Sequence, residues 1–275
     1  MSLDKSFSAP KVESSVTAKP IFADVKAVFF DLDDTLCAYW EAAKRGLRAT
    51  FDCYPIAGHT TDEMIEHWGE VFRTFAPAIK NSHWYEKYLQ SGEITRVELM
   101  RLLLERVGNF DTDLADRLSD TYYVERHAAL ELFPEAEEVL DQLHKSFTVG
   151  IITNGPADIQ RQEIETLRIK KYFDHILVEG EMGIGKPSPE VMARAEELCG
   201  YSGEAVLFVG NSYKHDIVPA MKAGWRQAWV RRPSDVPPTS NASSPVPMPE
   251  NAQEPDLTIT DLRELLPALG IAEQL

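Results

Sequence analysis

Two acidic side chains with the spacing of a reaction centre follow the first apolar run of the chain. Asp31 and Asp33 come directly after the β-prone run 25–30, which reads Val-Lys-Ala-Val-Phe-Phe. Two carboxyl groups placed in this way can act as a nucleophile and as a general acid, and both can bind a divalent cation through oxygen. This pair is therefore the first candidate for catalytic groups.

Other polar residues follow later apolar runs in the same way. They are Thr153 and Asn154 after the run 149–152, Asn211 and Asp216 after the run 205–209, and Lys186 at the head of a predicted helix. In open α/β sheets, ligands bind beyond the carboxyl ends of the strands. These residues, which are far apart in the chain, are therefore predicted to converge at one edge of a sheet.

Each of these residues alone has a simpler structural explanation. An Asp-x-Asp pair can be a solvated turn or a helix cap, and Thr153-Asn154-Gly155 can be a turn because Asn-Gly favours a positive φ. A lone lysine is most often on the surface. The functional interpretation rests on the order of the residues and on their shared place at strand ends.

The elements that hold these residues predict an α/β fold: a Rossmann-like, doubly wound parallel sheet with an inserted α-helical cap domain. Apolar β-prone runs alternate with helical patterns after residue 130, whereas the preceding segment is helical throughout. The predicted organisation is a disordered leader at 1–20, an α/β core at 21–37 and 130–275, and a helical cap at 38–129, with a flexible proline-rich excursion from the core at 233–255.

Capping sequences predict where several helices begin. The segments Thr60–Glu63 and Thr95–Glu98 both have the spacing of a capping box, and Ser188 before a proline has the pattern of an N-cap. A helix is predicted to follow the run 205–209 and to end at Ala223. A terminal helix is predicted from Asp261.

The net charge is −16, from 28 basic and 44 acidic residues, and it opposes binding to nucleic acid or to an anionic membrane. An anionic substrate would need local positive potential from a bound cation or from oriented main-chain N–H groups. The three cysteines show no CxxC spacing, and no apolar run approaches the ~18 residues of a membrane span. A cytoplasmic protein is therefore expected.

In their order along the chain, the strand-end residues resemble the motifs of the haloacid dehalogenase-like hydrolase superfamily, most of whose members are phosphatases. The matching residues are Asp31, Asp33 and Thr35 for the first motif (Asp-x-Asp-x-Thr), Thr153 for the second, Lys186 followed by proline for the third, and Asn211 and Asp216 for the fourth. The fourth motif usually reads Gly-Asp-x4-Asp, so Asn211 removes one negative charge but keeps an oxygen that can bind a hard cation.

The resemblance implies a Mg²⁺-dependent phosphatase that hydrolyses a small phosphorylated metabolite, such as a sugar phosphate or a nucleotide, through an aspartyl-phosphate intermediate. It implies that Asp31 is the nucleophile and that Asp33 is the general acid and base. The implied phosphate-binding residues are Thr153, Asn154 and Lys186. The implied metal ligands are Asp31, the main-chain carbonyl of Asp33, Asn211 and Asp216.

Alternatives within and outside catalysis remain open. Phosphomutases share the whole motif set, whereas haloacid dehalogenases of the same fold usually lack the second acid, here Asp33. A non-catalytic binding protein is favoured only by Asn211. The chain is expected to be a monomer or a homodimer.

The helical insert resembles a cap that closes over the site and contacts the leaving group. Arg45, Arg48 and Trp84 are candidates for such contacts, although aromatic and basic residues of a cap more often belong to its core or to a solvated face. Trp84-Tyr85, Gly92-Glu93-Ile94-Thr95 and Thr153-Asn154-Gly155 resemble the branch that contains pyrimidine nucleotide phosphatases and acylneuraminate-9-phosphatases.

Overall fold

The computed structural model of the protein describes residues 19–238 and 244–272, so the predicted leader at 1–20 lies outside these residues except for its last two positions. The strands are β1 (Ala27–Phe30), β2 (Thr148–Thr153), β3 (His175–Val178), β4 (Val206–Gly210), β5 (Arg226–Val230) and β6 (Leu257–Ile259). All pair in parallel in one sheet with the order β3-β2-β1-β4-β5-β6. The predicted Rossmann-like parallel sheet is confirmed.

The central strand β1 reads as a continuous apolar run because both of its faces are covered. Val28 and Phe30 pack into the apolar layer on one side of the sheet. Ala27 and Phe29 pack into the other layer, where Phe29 contacts Trp225. A strand that is buried on both faces shows no polar alternation, which is typical of parallel sheets with helices on each side.

The helices are α1 (Tyr39–Cys53), α2 (Thr61–Ile79), α3 (Tyr85–Gln90), α4 (Gly92–Arg106), α5 (Thr112–Ala128), α6 (Ala136–Leu143), α7 (Ala157–Thr166), α8 (Glu179–Met182), α9 (Pro189–Cys199), α10 (Val218–Lys222) and α11 (Leu265–Ala268). Helices α1–α5 lie between β1 and β2 and form a cap with its own apolar core around Trp68, Leu103 and Leu118. A Cβ added at Gly46 of α1 would lie 2.9 Å from the main-chain nitrogen of Arg126 in α5. Glycine therefore allows these two helices to approach closely.

One of the two predicted capping boxes is present. Thr60 caps α2 and exchanges both hydrogen bonds of the box with Glu63. The prediction at Thr95 is wrong, because α4 already begins at Gly92 with Ser91 as its N-cap. Thr95 lies inside the helix, where its hydroxyl donates to the carbonyl of Gly92 at 3.1 Å.

Two further helix predictions differ from the structure in detail. The segment after β4 forms a π-helical turn at Tyr213–Ile217 before α10 begins. Asp261 caps a 3₁₀ turn at Leu262–Glu264, and α11 follows that turn. Ser188 is the N-cap of α9, as predicted, although its side chain makes no capping hydrogen bond among the described residues.

The proline-rich segment 233–255 contains residues 239–243, which lie outside the described residues. The described parts of this segment form turns and irregular chain, without a helix or strand. Asp235 and Gln253 nevertheless bond to the loop after β4, to Asn211 and Tyr213. Across the described residues, no helix is long and apolar enough to span a membrane.

Candidate active site

The carboxyl ends of β1, β2 and β4 meet at one edge of the sheet. Asp31 continues the ladder beyond β1, since its N–H donates to the carbonyl of Val209 at 2.9 Å. The parallel register places Phe30 between Ile151 and Val209, so the residues that follow these strands are neighbours. This arrangement brings together residues that are distant in the sequence.

The buried ammonium of Lys186 lies between two carboxylates. Its Nζ is 2.6 Å from Oδ1 of Asp31 and 2.7 Å from Oδ1 of Asp216, and the lysine is 1% exposed. Burial alone would lower the pKa of Lys186, but Asp216 and Asp31 outweigh burial and raise the pKa. Burial raises the pKa of Asp31 to about 6, with Lys186 acting in the opposite direction.

The position of Lys186 is set by Asn154. The side chain of Asn154 accepts a hydrogen bond from the N–H of Lys186 and donates one to its carbonyl, both at 2.8 Å. These two bonds join the loop after β2 to the loop before α9. Asn154 thereby holds the lysine at the edge of the sheet, a role that the sequence does not reveal.

Oxygen donors suitable for a divalent cation face one another near Thr35. The Thr35 hydroxyl lies 3.4 Å from Oδ2 of Asp31 and 3.4 Å from Oδ1 of Asn211. Both oxygens of Asp216 already have partners, since Oδ1 contacts Lys186 and Oδ2 accepts the N–H of Ser212 at 2.8 Å. Within the described part of the chain, three or more His, Cys, Asp or Glu residues do not converge on one point. The mixed carboxylate and amide donors nevertheless fit Mg²⁺, which binds through few protein oxygens and keeps several waters.

Asn211 is held in place by a residue that the sequence interpretation left out. Its side-chain amide donates to Oδ2 of Asp235 at 2.9 Å, and its main-chain carbonyl accepts the indole N–H of Trp229 at 2.8 Å. Because the amide nitrogen is turned towards Asp235, the amide oxygen faces the Thr35 hydroxyl, which also contacts Asp31. Asp235 lies in the proline-rich segment, and its position next to the site could not be read from that composition.

Asp33 is surrounded by polar groups of α7. Nε2 of Gln160 donates to Oδ2 of Asp33 at 3.3 Å and to Oε2 of Glu163 at 3.1 Å. Burial, followed by the carboxylates of Glu163 and Asp31, raises the pKa of Asp33 well above its usual range. A protonated carboxyl group of this kind can donate a proton.

Gln160 also accepts a hydrogen bond from the hydroxyl of Thr153. That hydroxyl donates to Oε1 of Gln160 at 2.5 Å, and Thr153 is 1% exposed. Glu163, one turn later on the same helix, forms a buried ion pair of 2.8 Å with Arg126 of the cap. Gln160 and Glu163 are not among the residues predicted from the sequence. The signal that could have indicated them is their spacing, since two polar residues three positions apart lie on one helix face next to the apolar residues Ile159 and Ile164.

These groups open into one cavity of about 490 Å³ between the core and the cap. The core side of its wall includes Asp31, Asp33, Asn154, Lys186, Asn211 and Asp216. The cap side includes Tyr39, Trp40, Trp68, Phe72, Tyr88, Arg96, Tyr122 and Arg126. Among the described residues, the wall leaves out Thr153 and the three cap candidates Arg45, Arg48 and Trp84.

The three cap candidates contact other parts of the protein. Arg45 lies 3.8 Å from Glu131, and Arg48 pairs with Asp62 at 2.5 Å. The ring of Trp84 has the ammonium of Lys87 over it at 5.6 Å. The structure therefore does not bring these side chains to the cavity, and Arg96 and Arg126 are the cap arginines that line it.

The sequence pattern of the haloacid dehalogenase-like hydrolases matches residues 25–224. N-acylneuraminate-9-phosphatase from Rattus norvegicus is 27% identical over 235 residues, which cover 81% of this chain and 88% of the relative. A pyrimidine 5′-nucleotidase from Escherichia coli is 25% identical over 223 residues, which cover 79% of this chain and 93% of the relative.

Solved structures share the same fold. The hydrolase YfnB from Bacillus subtilis, in a crystal structure bound to magnesium, is similar with a TM-score of 0.67 and 22% identity, over 90% of this chain and 99% of that one. L-2-haloacid dehalogenase from Xanthobacter autotrophicus is similar with a TM-score of 0.63 and 22% identity, over 90% of this chain and all of that one (100%). At these identities the likeness establishes the fold and leaves the reaction open.

Proposed function

Because the chain belongs to the haloacid dehalogenase-like hydrolase family, and its curated relatives are phosphatases, we propose that it is a Mg²⁺-dependent phosphatase that acts on a small phosphomonoester. The reaction passes through an aspartyl-phosphate on Asp31. The observation that carries the proposal is the pairing of Asp31 with the buried Lys186 ammonium in the same cavity wall as Asp33.

Asp31 attacks phosphorus in the first half of the reaction. Its carboxylate oxygen forms a bond to phosphorus, and the bond to the leaving oxygen breaks. Lys186 keeps Asp31 oriented and offsets negative charge that accumulates on the phosphoryl oxygens. In this proposal the main-chain N–H of Asn154 completes the phosphate site, and Thr153 contributes there only if its hydroxyl turns away from Gln160.

Asp33 handles the proton in both halves. It gives its proton to the leaving alcohol and, as a carboxylate, takes a proton from the water that attacks phosphorus in the second half. That attack breaks the bond to Asp31 and releases phosphate. The raised pKa of Asp33 supports the first step, because the carboxyl group must be protonated before the alcohol leaves.

Mg²⁺ would be held by Asp31, the main-chain carbonyl of Asp33, Asn211 and Asp216, the last directly or through water. When bound, it offsets the repulsion between a phosphate dianion and the carboxylates. The three cysteines are free in the structure, which supports a reducing, cytoplasmic setting for this reaction.

Haloacid dehalogenation is the second candidate, since dehalogenases share the fold. In that reaction the nucleophile attacks carbon and halide leaves without a proton. A general acid such as Asp33 would then not be needed for the leaving group. Asp33, with its raised pKa and its contact to Gln160, therefore favours phosphoryl chemistry over this alternative.

The test measures phosphate release from p-nitrophenyl phosphate with Mg²⁺ and with a chelator. Release should need the metal, fall to background in Asp31→Asn, and persist in Asp141→Asn, a control on an exposed carboxylate that pairs with Lys145. Background release by the unsubstituted protein across simple phosphomonoesters, together with halide release from a 2-haloacid, would replace the proposal with dehalogenation.

A further inference from the structure

The cap side of the cavity presents a continuous aromatic wall. The rings of Trp68 and Phe72 stack with centroids 4.9 Å apart, and Trp40 and Tyr122 extend the contacts at 5.7 and 5.8 Å. All four rings line the cavity. Because the reacting carboxylates lie on the core side, this wall faces the part of a phosphomonoester that leaves.

Trp68 carries a polar group without a partner. The residue is 1% exposed, and its indole Nε1 makes no hydrogen bond with any described residue. A buried N–H donor without an acceptor is costly, and such groups are usually satisfied by water or by a ligand. Because Nε1 itself is buried, Trp68 lines the cavity with its ring and not with this N–H.

Arg96 adds a positive charge to the same wall. Its Nε donates to the carbonyl and to the hydroxyl of Ser119 at 3.2 and 3.0 Å, and its guanidinium lies 4.5 Å from the ring centre of Tyr123. These contacts fix the plane of the group but do not pair its charge. Among the described residues, Arg96 forms no ion pair, and the carboxylate of Glu93, one turn earlier on α4, acts on it only from beyond ion-pair distance.

Arg126 differs from Arg96 in this respect. Its guanidinium is paired with Glu163 at 2.8 Å, so it adds little net charge to the cavity. Burial, followed by the neighbouring Arg126, lowers the pKa of Arg96, as expected for a cation without a matched anion. An anion supplied by the substrate would relieve this cost.

We propose that the substrate's leaving group carries a carboxylate that Arg96 binds, with its body, an unsaturated or otherwise flat ring, against the aromatic wall. This inference rests on the proposed function and deepens it. A planar guanidinium binds a carboxylate through two parallel hydrogen bonds. A single unpaired guanidinium balances one negative charge, which favours a carboxylate over a second phosphate dianion.

The experiment compares phenyl phosphate with 3- and 4-carboxyphenyl phosphate, which differ from it only in the carboxylate. The unsubstituted protein should hydrolyse one carboxylated ester with a kcat/KM about tenfold or more higher, mainly through a lower KM. In Arg96→Gln the ratio of kcat/KM for the carboxylated ester to kcat/KM for phenyl phosphate should fall towards one. Arg96→Lys keeps the positive charge but cannot form two parallel hydrogen bonds to a carboxylate, so it should give an intermediate ratio of kcat/KM.

The matched control is Arg101→Gln on the same helix. Arg101 pairs with Glu98 and Glu105 away from the cavity, so this variant should keep the full preference. Circular dichroism of all variants checks that the helices remain folded. Equal kcat/KM for all three esters in the unsubstituted protein would overturn the inference and leave the phosphatase proposal standing.

If neither these esters nor p-nitrophenyl phosphate is hydrolysed, the proposed function fails and binding decides the inference. Trp40 and Trp68 line the cavity, so their fluorescence reports ligand binding. Tighter binding of a carboxyphenyl phosphate than of phenyl phosphate, lost in Arg96→Gln, supports the carboxylate site. Equal affinities would overturn it.

Discussion

The side-chain amide of Asn211 donates a 2.9 Å hydrogen bond to Oδ2 of Asp235. The family motif commonly has an acid at the position of Asn211. Here the acid is Asp235, which is hydrogen-bonded to the side chain of Asn211. Burial raises the pKa of Asp235, with the bond from Asn211 acting in the opposite direction. The pair therefore places one carboxylate beside the proposed metal site and fixes the amide oxygen towards Asp31.

Asn211→Asp, which restores the common motif, is expected to destabilise the protein. The new carboxylate would face Asp235 without a donor between them, at a cost of about 1–3 kcal/mol in the free energy of unfolding. Urea denaturation at pH 7.5 measures this loss. Adding Asp235→Asn should recover most of it, and an Asn211→Asp protein as stable as the parent would show that the hydrogen bond has little energetic value.

The strand-end residues could be predicted because strand and helix patterns alternate after residue 130, and parallel strands bring their carboxyl ends to one edge. Asp31, Asn211 and Asp216 follow from that rule alone. Asp235 could not be predicted, since its contact with Asn211 joins an irregular segment to a loop and leaves no periodic signal.

The cap shows a different limit of prediction. Helical periodicity indicated the helices but not the rotation of each helix relative to the core. The sequence indicates Arg45 and Arg48 of α1 as candidates and gives no signal for Arg96 of α4, which is the one of these three that the packing of the cap places at the cavity. The capping box at Thr95 was wrong for a related reason, since Ser91 three residues before Ile94 supplies an earlier N-cap.

Lys186→Met is expected to destabilise the fold in a pH-dependent way. The substitution keeps an unbranched side chain, shorter by one atom, and leaves Asp31 and Asp216 buried without their counter-ion, at a cost of about 3–5 kcal/mol near neutral pH. Burial already raises the pKa of Asp31 to about 6. Without Lys186 the pKa of Asp31 should rise further. A carboxyl group with a raised folded-state pKa loses stability as pH rises from its unfolded value of about 3.9 to its folded value, so the deficit should shrink as pH falls from 7.5 to 5.5.

Urea denaturation at both pH values measures the deficit of Lys186→Met. Lys145→Met is the control, because Lys145 forms an exposed ion pair with Asp141 and its loss should change the stability little. A deficit for Lys186→Met that grew on acidification would show that the two carboxyl groups are not the cause.

His127 should make the protein less stable as pH falls from about 6.5 towards 4. Burial and the adjacent Arg126 lower the pKa of His127 to about 4, whereas the unfolded chain has the ordinary value near 6.5. Between these values the unfolded state binds more protons, so stability is lost as pH falls through this window. The loss from this group should be about 1 kcal/mol at pH 5.5.

His127→Gln tests this contribution by thermal or urea unfolding from pH 7.5 to 5. Nδ1 of His127 donates to the carbonyl of Tyr123 at 2.7 Å, and the glutamine amide can approximate this bond. The variant should lose less stability than the parent over this range. His83→Gln, on an exposed cap residue, should follow the parent curve, and a His127→Gln curve parallel to the parent would assign the acid sensitivity to other groups.

Glu179, a fully buried carboxylate of the core, joins the cap to the core. Its Oε1 accepts the Tyr85 hydroxyl at 2.9 Å and contacts the Lys80 ammonium at 2.7 Å, both from the cap, while its Oε2 accepts the N–H of Gly155 at 3.1 Å. A Cβ added at the adjacent Gly180 would lie 2.3 Å from the carbonyl of Leu89, so the cap backbone meets the core directly here. Tyr85→Phe should therefore favour an open cap.

Removing the Tyr85 hydroxyl should cost the closed state about 1 kcal/mol, or about fivefold in the opening equilibrium. Hydrogen exchange of the α3 amides measures that change directly, and the KM for the proposed phosphomonoester should rise in parallel because the aromatic wall leaves the site when the cap opens. Tyr201→Phe is the control for the loss of a hydroxyl elsewhere, since Tyr201 lies on the surface of the α/β domain, away from the cap. Faster exchange throughout the chain would indicate global destabilisation, whereas unchanged exchange in α3 would mean that Lys80 alone holds the cap to Glu179.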